Sequence, residues 1–113
     1  MAKFKRVLLK LSGEALAGES GHGIDNTILS DMASEIASMV RAGIQVALVI
    51  GGGNLVRGIS ASAGGMNRAQ GDAMGMLGTV MNGLAMQDAL DKQSIDSVVM
   101  SAIRMEPVCE FFD

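Results

Sequence analysis

The sequence predicts an α/β fold, a three-layer sandwich in which a mostly parallel sheet lies between layers of helices. Two observations predict it. Short apolar runs alternate with longer segments of helical periodicity, and the order strand, helix, strand, helix, strand requires right-handed crossovers between parallel strands. Glycine-rich segments follow the first two apolar runs, and ligands of such sheets bind beyond the carboxyl ends of the strands. We therefore expect one domain with its site near those glycines.

Three apolar runs are the predicted strands. They are residues 6–11 (RVLLKL), 44–50 (IQVALVI) and 97–103 (SVVMSAI). Because the first run is almost continuously apolar, we expect its strand to be covered on both faces.

Two helices are predicted between these strands. The first begins at the capping residue Asp25, runs through Ala42 and is followed by Gly43. Its apolar residues share one face: Ile28, Met32, Ile36, Met39 and Val40. The second runs from about Asp72, whose carboxylate would cap it, to Lys92. Its apolar residues recur at helical spacing: Met74, Leu77, Met81, Leu84 and Ala85.

Composition excludes several classes of function. With 49% apolar residues the chain is not disordered, and with a net charge of -3, no Trp and no Tyr it lacks the basic face or stacking rings of a nucleic-acid binder. One Cys and one His cannot form a disulfide framework or a zinc cage. The longest uncharged stretches, residues 42–56 and 73–87, are shorter than the roughly 20 apolar residues of a bilayer crossing. We expect a cytoplasmic protein with no nucleic-acid or membrane partner.

Lys10 interrupts the first apolar run one residue before it ends. An unpaired ammonium group in a buried sheet is unfavourable, and an anion at the strand end would remove that penalty. The alternative is a lysine on an edge strand whose charge lies in water. Gly13 slightly favours the interpretation with an anion, because a glycine there frees the next backbone amide to point at the same anion.

Gly51-Gly52-Gly53-Asn54 directly follows the second predicted strand. Three residues without Cβ let backbone amides line up as an anion-binding nest that fits a phosphate, whereas an ordinary turn needs one glycine. Neither a Walker loop nor a GxGxxG pattern occurs. Ten of the fifteen glycines lie between Gly51 and Gly83, and we expect them to let the backbone approach a ligand or another helix closely.

Four other residues have both a functional and an ordinary interpretation. Arg57 could place two donors on a phosphate or could be a solvated surface arginine. Asp72 could bind a ribose diol instead of only capping a helix. His22 and Cys109 could form a base and a thiol nucleophile, but no third residue to orient them is evident, and residues 18–23 are most simply a connector.

Longer motifs resemble the bacterial uridylate (UMP) kinases, a branch of the amino acid kinase superfamily. They are KLSGE at 10–14, VIGGGNLVRG at 49–58, AGGMNRAQGDAMGML at 63–77 and TVMNGLAMQDAL at 79–90. KLSG and GGGN alone would indicate only the superfamily, which includes carbamate, acetylglutamate and aspartate kinases. The resemblance extends to about Cys109 but matches only roughly the first half of such a kinase. It implies the N-terminal portion of the amino acid kinase (carbamate kinase-like) fold, with residues 1–113 as a single partial domain that binds UMP.

The resemblance also implies an activity and a set of site residues. The activity is transfer of the γ-phosphoryl group of ATP to UMP, giving UDP in pyrimidine nucleotide biosynthesis, with Mg²⁺ accompanying ATP and no metal-ligating residue assigned. ATP would contact Lys10, Leu11, Ser12, Gly13, Gly53 and Arg57, and Lys10 would also stabilise the phosphoryl group during transfer. UMP would contact Gly52 and Asp72. Ala73 stands where we expect histidine in close relatives.

Regulation and assembly are further implications of the resemblance. The loop formed by Gly18, Glu19, Ser20, Gly21, His22 and Gly23 matches the region where GTP acts as an allosteric activator, and UTP is the feedback inhibitor. The family forms homo-oligomers, specifically homohexamers.

Two alternatives to UMP phosphorylation stay open. One is another kinase of the superfamily that acts on a carboxylate or carbamate. The other is a non-catalytic nucleotide-binding or assembly module. A three-stranded parallel fragment would leave a strand edge and apolar faces uncovered, so the isolated chain is expected to aggregate or to be stable only in an oligomer.

Overall fold

A computed structural model of the chain describes residues 5–55, 67–102 and 104–112. Its elements are β1 (Arg6–Leu11), two short 3₁₀-helices (Gly13–Leu16 and Gly18–Ser20), α1 (Asn26–Arg41), β2 (Gln45–Ile50), α2 (Arg68–Asp91), β3 (Met100–Ser101) and β4 (Glu110–Phe111). The predicted order of strands and helices is confirmed, and β4 is an addition to it.

β1 and β2 form a parallel pair that is in register over their whole lengths. Arg6 lies opposite Gln45 and Leu11 lies opposite Ile50, so both strands end at the same edge. The connection between them contains α1, as the crossover rule for parallel strands requires. The loops that follow β1 and β2 therefore begin side by side.

The third predicted strand is much shorter than expected, and its partner is different. Only Met100–Ser101 is a strand, and it pairs in parallel with β4 and not with β2. The carbonyl of Ser97 accepts a hydrogen bond from Gln87 Nε2 on α2 at 3.1 Å. A side chain on the helix thus takes a carbonyl that an extended strand would use for pairing.

α1 begins and ends as predicted. One carboxylate oxygen of Asp25 accepts hydrogen bonds from the backbone N–H groups of Thr27 at 2.9 Å and Ile28 at 3.0 Å. These two bonds satisfy amide donors of the first turn that have no partner within the helix. Gly43, just beyond the other end, has a φ of 90°, a left-handed conformation that glycine adopts without steric cost.

α2 begins four residues before the predicted start, so the prediction that Asp72 caps it is wrong. The capping residue is Asn67, whose side-chain oxygen accepts from the N–H of Ala69 at 2.8 Å. The first turn, Arg68-Ala69-Gln70-Gly71, contains no large apolar residue, so periodicity could not find it. Asp72 lies in the second turn.

The core lies between one face of the β1–β2 sheet and the two long helices. Its buried members are Leu16, Leu29, Ala33, Ile36, Ile50, Met86 and Leu90. Leu9 and Leu48 pack against this cluster from the sheet. On the opposite face, Leu8 is 58% and Val49 is 54% exposed, so the expected covering of both faces is not found in the described part of the chain. No helix there has both the length and the apolar character needed to cross a membrane.

Candidate functional site at two strand ends

The loops that follow β1 and β2 are in contact at one edge of the sheet. The N–H of Gly51 donates to the carbonyl of Leu11 at 3.1 Å. A Cβ atom added to Gly13 would lie 2.6 Å from the Gly53 nitrogen and 2.9 Å from the Gly51 oxygen, closer than real Cβ atoms come. Only glycine fits at residue 13, and the expectation that the two glycine loops share one edge is confirmed.

The second loop also lies against the backbone of α2. A Cβ atom on Gly52 would lie 2.7 Å from the Thr79 nitrogen and 2.9 Å from the Gly75 oxygen. Gly78, which lies between Gly75 and Thr79 in the sequence, is buried. The expectation that these glycines allow a close approach is confirmed, and here the approaching element is a helix.

Two buried asparagines fix this contact. Asn54 and Asn82 are 1% and 0% exposed, and each donates to the side-chain oxygen of the other, at 3.3 Å and 2.7 Å. Asn54 also donates to the carbonyl of Gly23 and Asn82 to that of Gly51, both at 2.7 Å. All four amide hydrogens of the pair therefore have acceptors.

The backbone N–H groups of Gly52 and Gly53, at the same edge, are among the donors that have no acceptor within the described residues. Residues 53–55 are helical, and the carbonyl of Gly52 accepts from the N–H of Leu55 at 3.0 Å. The side chain of Glu14 lies against the Cα of Gly53, where a Cβ would meet its carboxylate. The edge thus presents amide donors of the kind that bind anions.

Lys10 lies at this edge but is not buried. It is the penultimate residue of β1, opposite Val49, and it is exposed. The argument that a buried lysine needs an anion therefore does not apply to this structure, and only its position near the loops supports a role. α1 and α2 cover the other face of the strand, which explains the difference.

Of the other predicted ATP contacts, the structure describes Leu11 and Ser12 but not Arg57. Leu11 is half-buried and contributes its carbonyl to the bond with Gly51. Ser12 is exposed, and its side chain makes no capping bond at the start of the 3₁₀-helix that follows. Arg57 lies outside the described residues.

Asp72 is on the surface of α2 near the second loop. Its side chain is 77% exposed and lies 3.9 Å from Arg68 Nε. It precedes Gly75 by three residues, a spacing that places two residues on the same side of a helix, and Gly75 contacts the loop at Gly52. Its predicted contact with UMP stays a prediction.

The loop of residues 18–23 is more than the simple connector that composition suggested. Gly18, Gly21 and Gly23 have φ values of 68°, 79° and 74°, which favour glycine. The Ser20 hydroxyl donates to the carbonyl of His22 at 2.8 Å. The N–H of Gly23 donates to the backbone carbonyl of Asn54 at 2.8 Å, so this loop is joined to the glycine loop after β2.

Sequence reasoning missed Asn82, because this residue lies within a helix that was predicted from its apolar residues. The signal that could have found it is a single short amide within the otherwise apolar run from Val80 to Met86. His22 is exposed, Cys109 is buried and no hydrogen bond joins these two described residues.

Parallel strands whose ends carry glycine loops, a lysine and amides without an acceptor among the described residues define an α/β protein with a candidate anion site at one sheet edge. The chain belongs to the amino acid kinase family, which matches residues 5–109. The predicted fold class is thereby confirmed.

Within that family the chain is similar to uridylate kinases. It is 58% identical over 113 residues to the uridylate kinase of Campylobacter hominis, covering 99% of this chain and 48% of that protein. It is 60% identical over 112 residues to the uridylate kinase of Chromohalobacter salexigens, covering 99% of this chain and 44% of that protein.

Solved structures agree with these sequence matches. The crystal structure of UMP kinase from Bacillus anthracis superposes with a TM-score of 0.87 at 40% identity, over 97% of this chain and 46% of that one. UMP kinase from Ureaplasma parvum gives 0.85 at 32% identity, over 98% and 49%. The chain spans about half the length of the curated relatives it matches, so the predicted resemblance to the N-terminal half of such a kinase is confirmed.

Proposed function

We propose that the chain is the UMP-binding, N-terminal half of a kinase that transfers the γ-phosphoryl group of ATP to UMP, giving UDP. The observation that carries this proposal is the meeting of two glycine loops at one sheet edge, where the Gly52 and Gly53 amides have no acceptor among the described residues. The uridylate kinases that match 99% of the chain support UMP over the carboxylate and carbamate substrates of other superfamily members.

The arrangement fits what phosphoryl transfer requires of a protein. The reaction needs two nucleotides held in line and stabilisation of the charge on the moving group, and it needs no side-chain nucleophile. Backbone amides and one lysine supply the stabilising groups. In this proposal ATP contacts Lys10, Leu11, Ser12, Gly13, Gly53 and Arg57, and UMP contacts Gly52 and Asp72. The contact between Gly13 and Gly53 supports a single phosphate chain bound by both loops.

Mg²⁺ fits this site as a companion of ATP. Mg²⁺ requires oxygen ligands and is commonly held by substrate phosphates with few protein ligands. The described residues contain no group of three or more metal-binding side chains, and the carboxylate that lies beside the glycine loop, at Gly53, is that of Glu14. A bound Mg²⁺ would therefore be held chiefly by phosphate oxygens, where it supplies positive charge.

Regulation, assembly and location are separate parts of the proposal. GTP activation at residues 18–23, inhibition by UTP, a homohexamer and a cytoplasmic location are supported by the family resemblance. The bond from Gly23 to Asn54 supports communication between that loop and the site. Activity measured with added GTP and UTP, native mass and cell fractionation test these four statements one by one.

A substrate panel tests the activity. The full-length protein is incubated with γ-labelled ATP and Mg²⁺ and with one candidate acceptor at a time. The acceptors are UMP, CMP, carbamate, acetylglutamate and aspartate. We expect label to appear on UMP. Label on a carboxylate or carbamate would overturn the proposal in favour of another superfamily activity. ATP binding without any transfer would indicate a non-catalytic nucleotide-binding module.

A further inference from the structure

The amide pair formed by Asn54 and Asn82 joins three parts of the chain. Asn82 belongs to α2 and bonds to the carbonyl of Gly51. Asn54 belongs to the loop after β2 and is bonded to Gly23 by its side chain and by its backbone. Three segments distant in sequence therefore meet through two side chains.

The bond from Asn82 to Gly51 sets the direction of a neighbouring donor. The Gly51 carbonyl and the Gly52 N–H belong to the same planar, trans peptide unit, so they point in opposite directions. Because the carbonyl is directed at Asn82, the N–H of Gly52 is directed away from it. Glycines on both sides of this peptide impose little conformational preference of their own. The side-chain bond therefore holds the orientation together with the Gly51–Leu11 bond and the contact of Gly52 with α2.

The pair is also well suited to act as a unit. Both amides are buried, and each of their four hydrogens has an acceptor. Removing one member leaves buried donors and acceptors of the other member unpaired, which costs more than the bond itself contributes.

We propose that Asn54 and Asn82 are positioning residues, which orient the Gly52 N–H for the nucleotide and couple the glycine loop to residues 18–23. This inference rests on the proposed function in one respect, the identity of the nucleotide as UMP. The coupling to Gly23 rests on the hydrogen bonds alone.

The test compares two variants of the full-length protein, Asn82→Ala and Val80→Ala. Val80 lies on the same helix, is 5% exposed and has no hydrogen-bonding side chain, so its truncation destabilises the fold without changing the amide pair. We expect Asn82→Ala to raise KM for UMP on the order of tenfold, the effect of about one lost hydrogen bond, with a much smaller change in KM for ATP. Val80→Ala should leave both constants within about twofold, a change of under 0.5 kcal/mol.

Amide hydrogen exchange gives a readout that does not depend on activity. The Gly23 N–H should exchange on the order of tenfold faster in Asn82→Ala, because its acceptor Asn54 has lost its partner. The N–H of Ile44, which donates to Met39 at 3.1 Å, is the internal reference, and Val80→Ala should change both amides equally. If Asn82→Ala does not fold, Asn82→Ser takes its place, since serine keeps one donor.

The outcomes separate this inference from the proposed function. A kinase in which Asn82→Ala and Val80→Ala behave alike in KM and in exchange would overturn the positioning role. A protein that transfers no phosphoryl group to UMP would overturn the proposed function, and the Gly23 exchange ratio would then decide the coupling by itself. Faster exchange of the Gly23 amide in Asn82→Ala alone would support the coupling between the glycine loop and residues 18–23. An unchanged exchange rate would overturn that coupling.

Discussion

The strand-end edge and the outer face of the sheet differ in how many of their contacts are made within the described residues. At the edge, all four amide hydrogens of the buried Asn54 and Asn82 have acceptors, and these bonds join two loops to α2. On the outer face, Leu8 and Val49 are more than half exposed, and they line an open apolar groove of about 810 Å³ that extends to Phe112. The geometry of the site depends on contacts within this chain, whereas the outer face contributes little to the core. Changes in the two regions should therefore affect different measurements.

The largest expected effect is on catalysis, at Lys10. Lys10→Ala should lower kcat on the order of 10²-fold or more, the usual cost of losing a group that stabilises charge in the transition state. Steady-state kinetics with ATP and UMP measure it, and Lys5→Ala is the control, because Lys5 is also exposed but precedes the strand. An unchanged kcat with only a raised KM would show that Lys10 merely binds.

The next effect is on stability, where the glycine loop meets α2. Gly52→Ala should lower the free energy of unfolding by about 1–3 kcal/mol, because its Cβ would lie 2.7 Å from the Thr79 nitrogen. Gly75→Ala, on the same helix with no atom within 4 Å of the added Cβ, should raise it by about 0.5–1 kcal/mol. Denaturant unfolding measures both. The two substitutions are expected to change stability in opposite directions, and a Gly52→Ala protein as stable as the parent would mean that the loop does not lie on the helix.

A smaller effect is expected at the two acidic residues considered as helix caps. Asp25→Ala should cost about 0.5–2 kcal/mol of unfolding free energy, and Asp25→Asn, which keeps an acceptor, should cost much less. Asp72→Ala should leave stability nearly unchanged, since Asn67 caps α2, and should weaken UMP binding. Denaturant unfolding and a UMP titration measure these effects. A large loss of stability in Asp72→Ala would contradict the assigned start of α2.

The smallest effect is expected on the outer face of the sheet. Leu8→Thr should change the free energy of unfolding by less than about 0.5 kcal/mol, whereas Leu9→Thr, on the face that packs against the core, should cost more than about 1 kcal/mol. Thermal unfolding of the two variants side by side measures the difference. A loss for Leu8→Thr as large as that for Leu9→Thr would show that another surface covers the outer face in the natural protein.

Features encoded by neighbouring residues were predictable from the sequence. Asp25, the apolar face of α1 and Gly43 together define a helix, and the two apolar runs define β1 and β2. Since parallel strands joined by one crossover end at the same edge, the meeting of Gly13 with Gly51–Gly53 followed from the order of elements.

Features that depend on distant partners were not predictable in this way. Pairing of Asn54 with Asn82 joins residues 28 apart, and nothing in the local pattern around either one identifies the other. The third strand was overestimated, since only Met100–Ser101 pairs with another strand, β4, whereas the carbonyl of Ser97 accepts from Gln87. The exposure of Lys10 depends on which face the helices cover, which an apolar run does not specify.

Backbone amide resonances followed during nucleotide titration test the central claim most directly. If both loops bind one nucleotide pair, a non-hydrolysable ATP analogue with Mg²⁺ should shift the Gly13 and Gly53 amides with a single Kd. UMP should shift the Gly52 amide. The Gly43 amide, at the opposite end of the strands, should not move with either ligand. Gly13 and Gly53 amides that stay unchanged, or that respond with different affinities, would contradict a shared phosphate site.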